Sequence, residues 1–101
     1  MASTSAFSPT GCVRKLPGLR IRPVPEAGIC LVYNPRDPTL RTLTPAAWLL
    51  FELCDGRSYE ALRAAYIAAV ARSRSAAEAE AWFRDGLAQL QSHGLVESAA
   101  P

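Results

Sequence analysis

The sequence predicts an α+β domain in which a three-stranded antiparallel sheet precedes three helices. Three observations predict it. Extended apolar segments broken by proline-containing turns occupy residues 19–43. Helical periodicity with recognisable caps occupies residues 44–94. The chain has 101 residues, enough for one domain around one modest core.

The opening residues 1–12 are rich in Ser, Thr, Pro and Gly and have little to bury. A disordered tail is expected over residues 1–15, the folded domain over 16–97, and a frayed end over 98–101. Leu19-Arg20-Ile21-Arg22 alternates apolar and basic side chains between Pro17 and Pro23, the pattern of a strand with one face in the core. Ile29-Cys30-Leu31-Val32-Tyr33 is continuously apolar, which suits a central strand. Asn34-Pro35-Arg36-Asp37-Pro38 then supplies two turn dipeptides before a third extended piece, Thr39–Leu43. Short connections make these strands sequential neighbours, so the first and third are edges. Prolines blunt the first edge, whereas the third keeps its amide donors.

Helix signals follow. Thr44 is an N-cap and Pro45 suits the first helical position, where no donor is needed. Ala47, Leu50, Phe51 and Cys54 recur at helical spacing, and Gly56 is expected to close this helix in the left-handed conformation. Ser58 caps a second helix with Tyr59, Leu62, Tyr66 and Val70 on one face. Ser75 with Glu78 makes a capping box for the third, whose inward residues are Ala79, Phe83, Leu87 and Leu90. It is expected to end at Gly94 with Leu95-Val96 packing down beyond it.

Charge separates the two halves. Arg14, Lys15, Arg20, Arg22, Arg36 and Arg41 against Glu26 and Asp37 leave residues 1–43 at +4, and the helical remainder is at −2. A helix that reads DNA favours the opposite distribution. Apolar runs such as Ala46–Phe51 are too short to cross a bilayer, and no secretory signal is expected. Cys12, Cys30 and Cys54 are odd in number and widely spaced, arguing against a disulfide framework or a zinc knuckle. Cys30 and Cys54 read as small buried hydrophobes in a reducing, cytoplasmic setting.

Little in the chain points to catalysis or to a metal or cofactor. The one histidine, His93, lies at the end of the third helix, where a cation favours the helix dipole. Glu52, Glu60, Glu78, Glu80 and Asp85 are scattered over helix exteriors, and no glycine-rich phosphate loop occurs. Two features exceed a plain core-and-surface pattern. Trp48 and Trp82 sit beside the inward stripes, as broad core or as an apolar patch for a partner. Gly86 lies mid-helix, where it costs about 1 kcal/mol relative to Ala. Either another element approaches it closely or it floors a groove.

The segment Leu43-Thr44-Pro45-x-Ala47 … Leu53-Cys54-Asp55-Gly56, with the three-strand opening, the Ser58-capped helix and the closing Leu87-Ala88-Gln89-Leu90 … Gly94-Leu95-Val96-Glu97, resembles the PqqD-like family of RiPP recognition elements. The resemblance runs from about Leu19 to Glu97. It implies a small winged-helix-like domain without catalytic activity. Such a domain binds the leader of a ribosomally made precursor peptide and presents it to a modifying enzyme, often a radical-SAM protein. In the family the leader adds as a strand beside the third strand and packs on the third helix. On this chain that site is Thr39, Leu40, Arg41, Thr42 and Leu43 with Trp82, Asp85, Gly86 and Gln89. Arg41 stands where the family commonly has an apolar residue. It either reaches along the groove rim toward an acidic leader residue or lies as a surface arginine. A winged-helix DNA-binding regulator and a scaffolding subunit of an unrelated enzyme are the alternatives.

Overall fold

Two small antiparallel sheets hold three helices between them in the computed structural model, which describes residues 11–99. In chain order the elements are β1 (Cys12–Lys15), β2 (Arg20–Val24), β3 (Ile29–Asn34), β4 (Thr39–Leu43), α1 (Pro45–Leu53), β5 (Asp55–Ser58), α2 (Tyr59–Val70), α3 (Ala76–Ser92) and β6 (Val96–Ala99). The expected order of three strands and three helices therefore describes β2 to α3, with β5 inserted and β1 and β6 added.

The expected sheet is a meander, β2-β3-β4, antiparallel throughout. Along β3 burial alternates, so Cys30, Val32 and Asn34 face the helices. Asn34 turns its polar side chain to structural use. Its Nδ2 donates to the Gly94 carbonyl (3.3 Å) and its Oδ1 accepts from the Arg36 amide (3.0 Å), tying the end of β3 to the end of α3.

The second sheet, β5-β1-β6, corrects the expectation of tails. Cys12–Lys15 forms its central strand, paired with β5 at Cys12–Ser58 and with β6 at Cys12–Ala99. Val13 is fully buried there. Residues 1–10 and 100–101, the rest of the expected tails, lie outside the described residues. β1 also locks the helical half. Lys15 sends Nζ to the Glu52 and Cys54 carbonyls (3.3 and 3.4 Å), placing a cation at the C-terminal end of α1, where the dipole favours it. The Leu16 amide bonds the Leu95 carbonyl, and Arg14 pairs with Glu97 at 2.6 Å.

The caps are where local chemistry puts them. Thr44, Ser58 and Ser75 accept from the amides of Ala47, Ala61 and Glu78, and the Ser75–Glu78 capping box is reciprocal. Past α3 the Gly94 and Leu95 amides bond the Gln91 and Leu90 carbonyls, with Gly94 at φ +73°, a Schellman stop. The first helix ends otherwise than expected. Cys54 is its C-cap, and Gly56 spends its φ of +98° inside β5 rather than closing α1.

Phe83 of α3 is the hub of the core, with its ring centroid 5.4 Å from Tyr59 and 6.1 Å from Tyr66. Leu50, Phe51, Leu62, Leu87, Leu90 and Leu95 are among the buried side chains around it. No helix among the described residues is long and apolar enough to cross a membrane.

Candidate functional site

The free edge of β4 faces a cleft whose other wall is α3. β4 is the last strand of its sheet, so one side of its backbone is unpaired among the described residues. Its side chains alternate. Thr39, Arg41 and Leu43 lie on the more buried face, and Leu40 and Thr42 are exposed, Leu40 by 61%. Across the cleft, Trp82, Asp85, Gly86, Gln89 and His93 recur at three- and four-residue steps and so share one face of α3.

The cleft has two connected parts. The larger, about 280 Å³, is lined by Leu40–Thr44 on the strand side and by Gly86, Gln89, Leu90 and His93 on the helix side. The second, about 160 Å³, continues toward Trp82 and Asp85 over Ala46, Ala47, Leu50 and Tyr66. Thr44, Ala47, Gly86 and Gln89 belong to both, so the first turns of α1 floor a single groove. Thr44 and Pro45 place that floor, because the cap starts α1 directly after β4. Small side chains at Ala46 and Ala47 leave the groove open.

All nine residues expected at the site line this groove except Thr39, which begins β4 at its edge. Sequence reasoning missed Thr44, Ala46, Ala47, Leu50, Tyr66, Leu90 and His93. His93 was legible: it is four residues beyond Gln89 on the same helical face. The floor was not, since alanines at a helix start carry no functional signal.

Gly86 resolves both ways at once. It lines the groove, and a Cβ built on it would stand 3.0 Å from Leu50 Cδ2. The Leu50 side chain of α1 therefore approaches Gly86 closely, and a Cβ there requires Leu50 to give by a few tenths of an ångström. Trp82 is 38% exposed, with the Arg74 guanidinium 4.5 Å from its ring centroid, a cation–π contact that covers part of the indole. Trp48 instead packs against the core and directs Nε1 to Glu52 at 3.3 Å.

Groove charge is uneven. Arg41 and His93 stand at one end and Asp85 at the other. Arg41 Nε is buried with no hydrogen-bond partner, and Arg41 joins no ion pair among the described residues.

Elsewhere, two of the three cysteines are buried thiols. Cys54 is fully buried, its Sγ donates to the Leu50 carbonyl (3.2 Å), and desolvation pushes its thiol up to about 12. Burial likewise raises Cys30. The hydrogen bond from Arg57 holds the Asp55 carboxyl down at about 2. Arg63 pairs with Glu80 and lies 3.8 Å from Glu60. No three His, Cys, Asp or Glu side chains gather as a metal set among the described residues.

Compared with models of protein families, with characterised proteins and with solved structures, the chain matches none.

Proposed function

We propose that this chain is a PqqD-like RiPP recognition element, a non-catalytic domain that binds the leader of a ribosomally made precursor peptide. The leader adds as a strand on the open edge of β4 and packs on α3, and the bound precursor is presented to a modifying enzyme, such as a radical-SAM protein. One observation carries this reading: an unpaired strand edge faces a helix across an open groove, so main-chain bonds supply affinity and the groove supplies side-chain pockets. The finer description of the fold as winged-helix-like belongs to the same reading, supported by β2–β4 leading directly into three packed helices.

A DNA-binding role has less support. The cationic side chains of α3 amount to Arg84 before His93, beside Glu78, Glu80 and Asp85, whereas a phosphate-dominated interface needs clustered positive charge.

The test uses short precursor-like peptides encoded beside this gene, titrated into the isotope-labelled full chain. Amide shifts confined to residues 39–44 and the 82–93 face of α3 are the expected result. Binding that leaves those amides unmoved, or none by any neighbouring peptide, overturns the proposal.

A further inference from the structure

The groove holds a cation without a partner, and resting on the strand-addition reading this identifies the peptide it takes. We infer that the groove selects a strand with an Asp or Glu side chain two positions from a large apolar side chain. Arg41 takes the carboxylate, and the pocket beside Trp82 takes the apolar group.

The argument starts at Arg41. On β4 its side chain lies on the same face as buried Leu43, and it lines the larger part of the groove. An arginine that merely lies along a surface keeps its head in water. Here Nε is shielded from solvent and no acceptor among the described residues reaches it. A buried donor without a partner is unfavourable, so an acceptor arriving with the ligand recovers what the free protein forgoes. The guanidinium fork matches a carboxylate with two parallel bonds, which makes a carboxylate the preferred acceptor over a neutral amide. His93, on the facing helix, adds a second polar group at this end.

The other end selects differently. Ala46, Ala47, Leu50 and Tyr66 give it an apolar floor with Trp82 as a wall. Asp85 stands there, and its charge disfavours a second carboxylate at that end. The two parts are offset along α3 from the Trp82–Gln89 level to the Gly86–His93 level, one turn or about 5.4 Å. Side chains on one face of a strand recur about every 6.7 Å, so alternate residues of a bound strand fall into the two parts.

A random peptide library displayed against the full chain and against Arg41→Gln tests this. Binders of the parent are expected to be enriched in Asp or Glu two positions from Leu, Ile, Phe or Trp. Against Arg41→Gln the apolar preference persists and the acidic one disappears. In one selected peptide, Glu→Gln should weaken binding to the parent at least about tenfold and leave binding to Arg41→Gln nearly unchanged. Should Arg41→Gln not fold, the peptide substitution against the parent alone still decides. Binders without acidic enrichment, or an equal loss in both proteins, overturn the carboxylate assignment and leave strand addition standing. A library that yields no binder shifting the β4 amides overturns strand addition as well.

Discussion

Gly86 of α3 and Leu50 of α1 meet at the bottom of the groove, where a Cβ on Gly86 would stand 3.0 Å from Leu50 Cδ2. The glycine is thus a packing element of the helix crossing and a wall of the site together. Gly86→Leu is expected to lower stability by about 1–3 kcal/mol through overpacking, despite the gain in helix propensity. Gly86→Ala should lie much nearer the parent, because a shift of Leu50 by a few tenths of an ångström offsets the propensity gain. Urea denaturation of the two variants measures the difference; a Gly86→Leu protein as stable as the parent would show that α1 moves aside freely.

Proline at the β4 edge tests backbone pairing, with Arg41→Gln as the control for the side chain that Arg41→Pro also removes. Outward donors alternate along an edge strand, so either Arg41 or Thr42 offers its amide to an added strand. Proline at the outward position removes that donor and puts a ring at the edge. At the inward position it breaks a bond to β3 instead and weakens the fold. One of Arg41→Pro and Thr42→Pro is therefore expected to stay folded by circular dichroism and lose peptide binding. Full binding by both variants would exclude strand addition here.

Removing β1 should cost the fold its cooperativity. Cys12–Lys15 lies between β5 and β6, buries Val13, and carries the Lys15 bonds to the end of α1. A chain starting at Leu16 is expected to lose its sharp thermal transition, while one starting at Gly11 keeps it. A sharp transition in the shorter chain would mean that the helices and the meander suffice alone.

Alkaline pH should destabilise the protein through Cys54. Burial holds its thiol protonated to about 12, above the ordinary value of 9.0, so between those limits the unfolded chain has released a proton that the folded one retains. Stability is then undiminished below about pH 9 and falls as pH rises toward about 12. Burial of Cys30 and Tyr66 acts in the same direction. Denaturation midpoints across this range should decline more gently for Cys54→Ala than for the parent. Parallel curves would assign the alkaline loss to the other groups.

Asn34 is the one buried polar side chain among the described residues. It is 9% exposed and bonds both the Gly94 carbonyl and the Arg36 amide. Asn34→Ala leaves these groups without their partner and should lower stability by about 1–3 kcal/mol, as read by thermal or urea unfolding.

What the sequence determined by itself is what short-range chemistry controls. Thr44, Ser58, Ser75 and Gly94 begin and end helices by bonds that span only a few residues, and all were legible. The β2-β3-β4 meander was legible too, because its turns are short and Ile29–Tyr33 of β3 is continuously apolar. Tertiary structure alone decided the second sheet. β1 offers four residues with a single fully buried side chain, and its pairing partners lie near Ser58 and Ala99, so no local pattern announces it. The groove divides in the same way. The β4 edge and the α3 face follow from strand order and helical spacing, each a property of one segment. Its alanine floor, the contact of Gly86 with Leu50, and the shielding of Arg41 exist only once α1 is seated between β4 and α3, because each depends on the distance between elements remote in the chain.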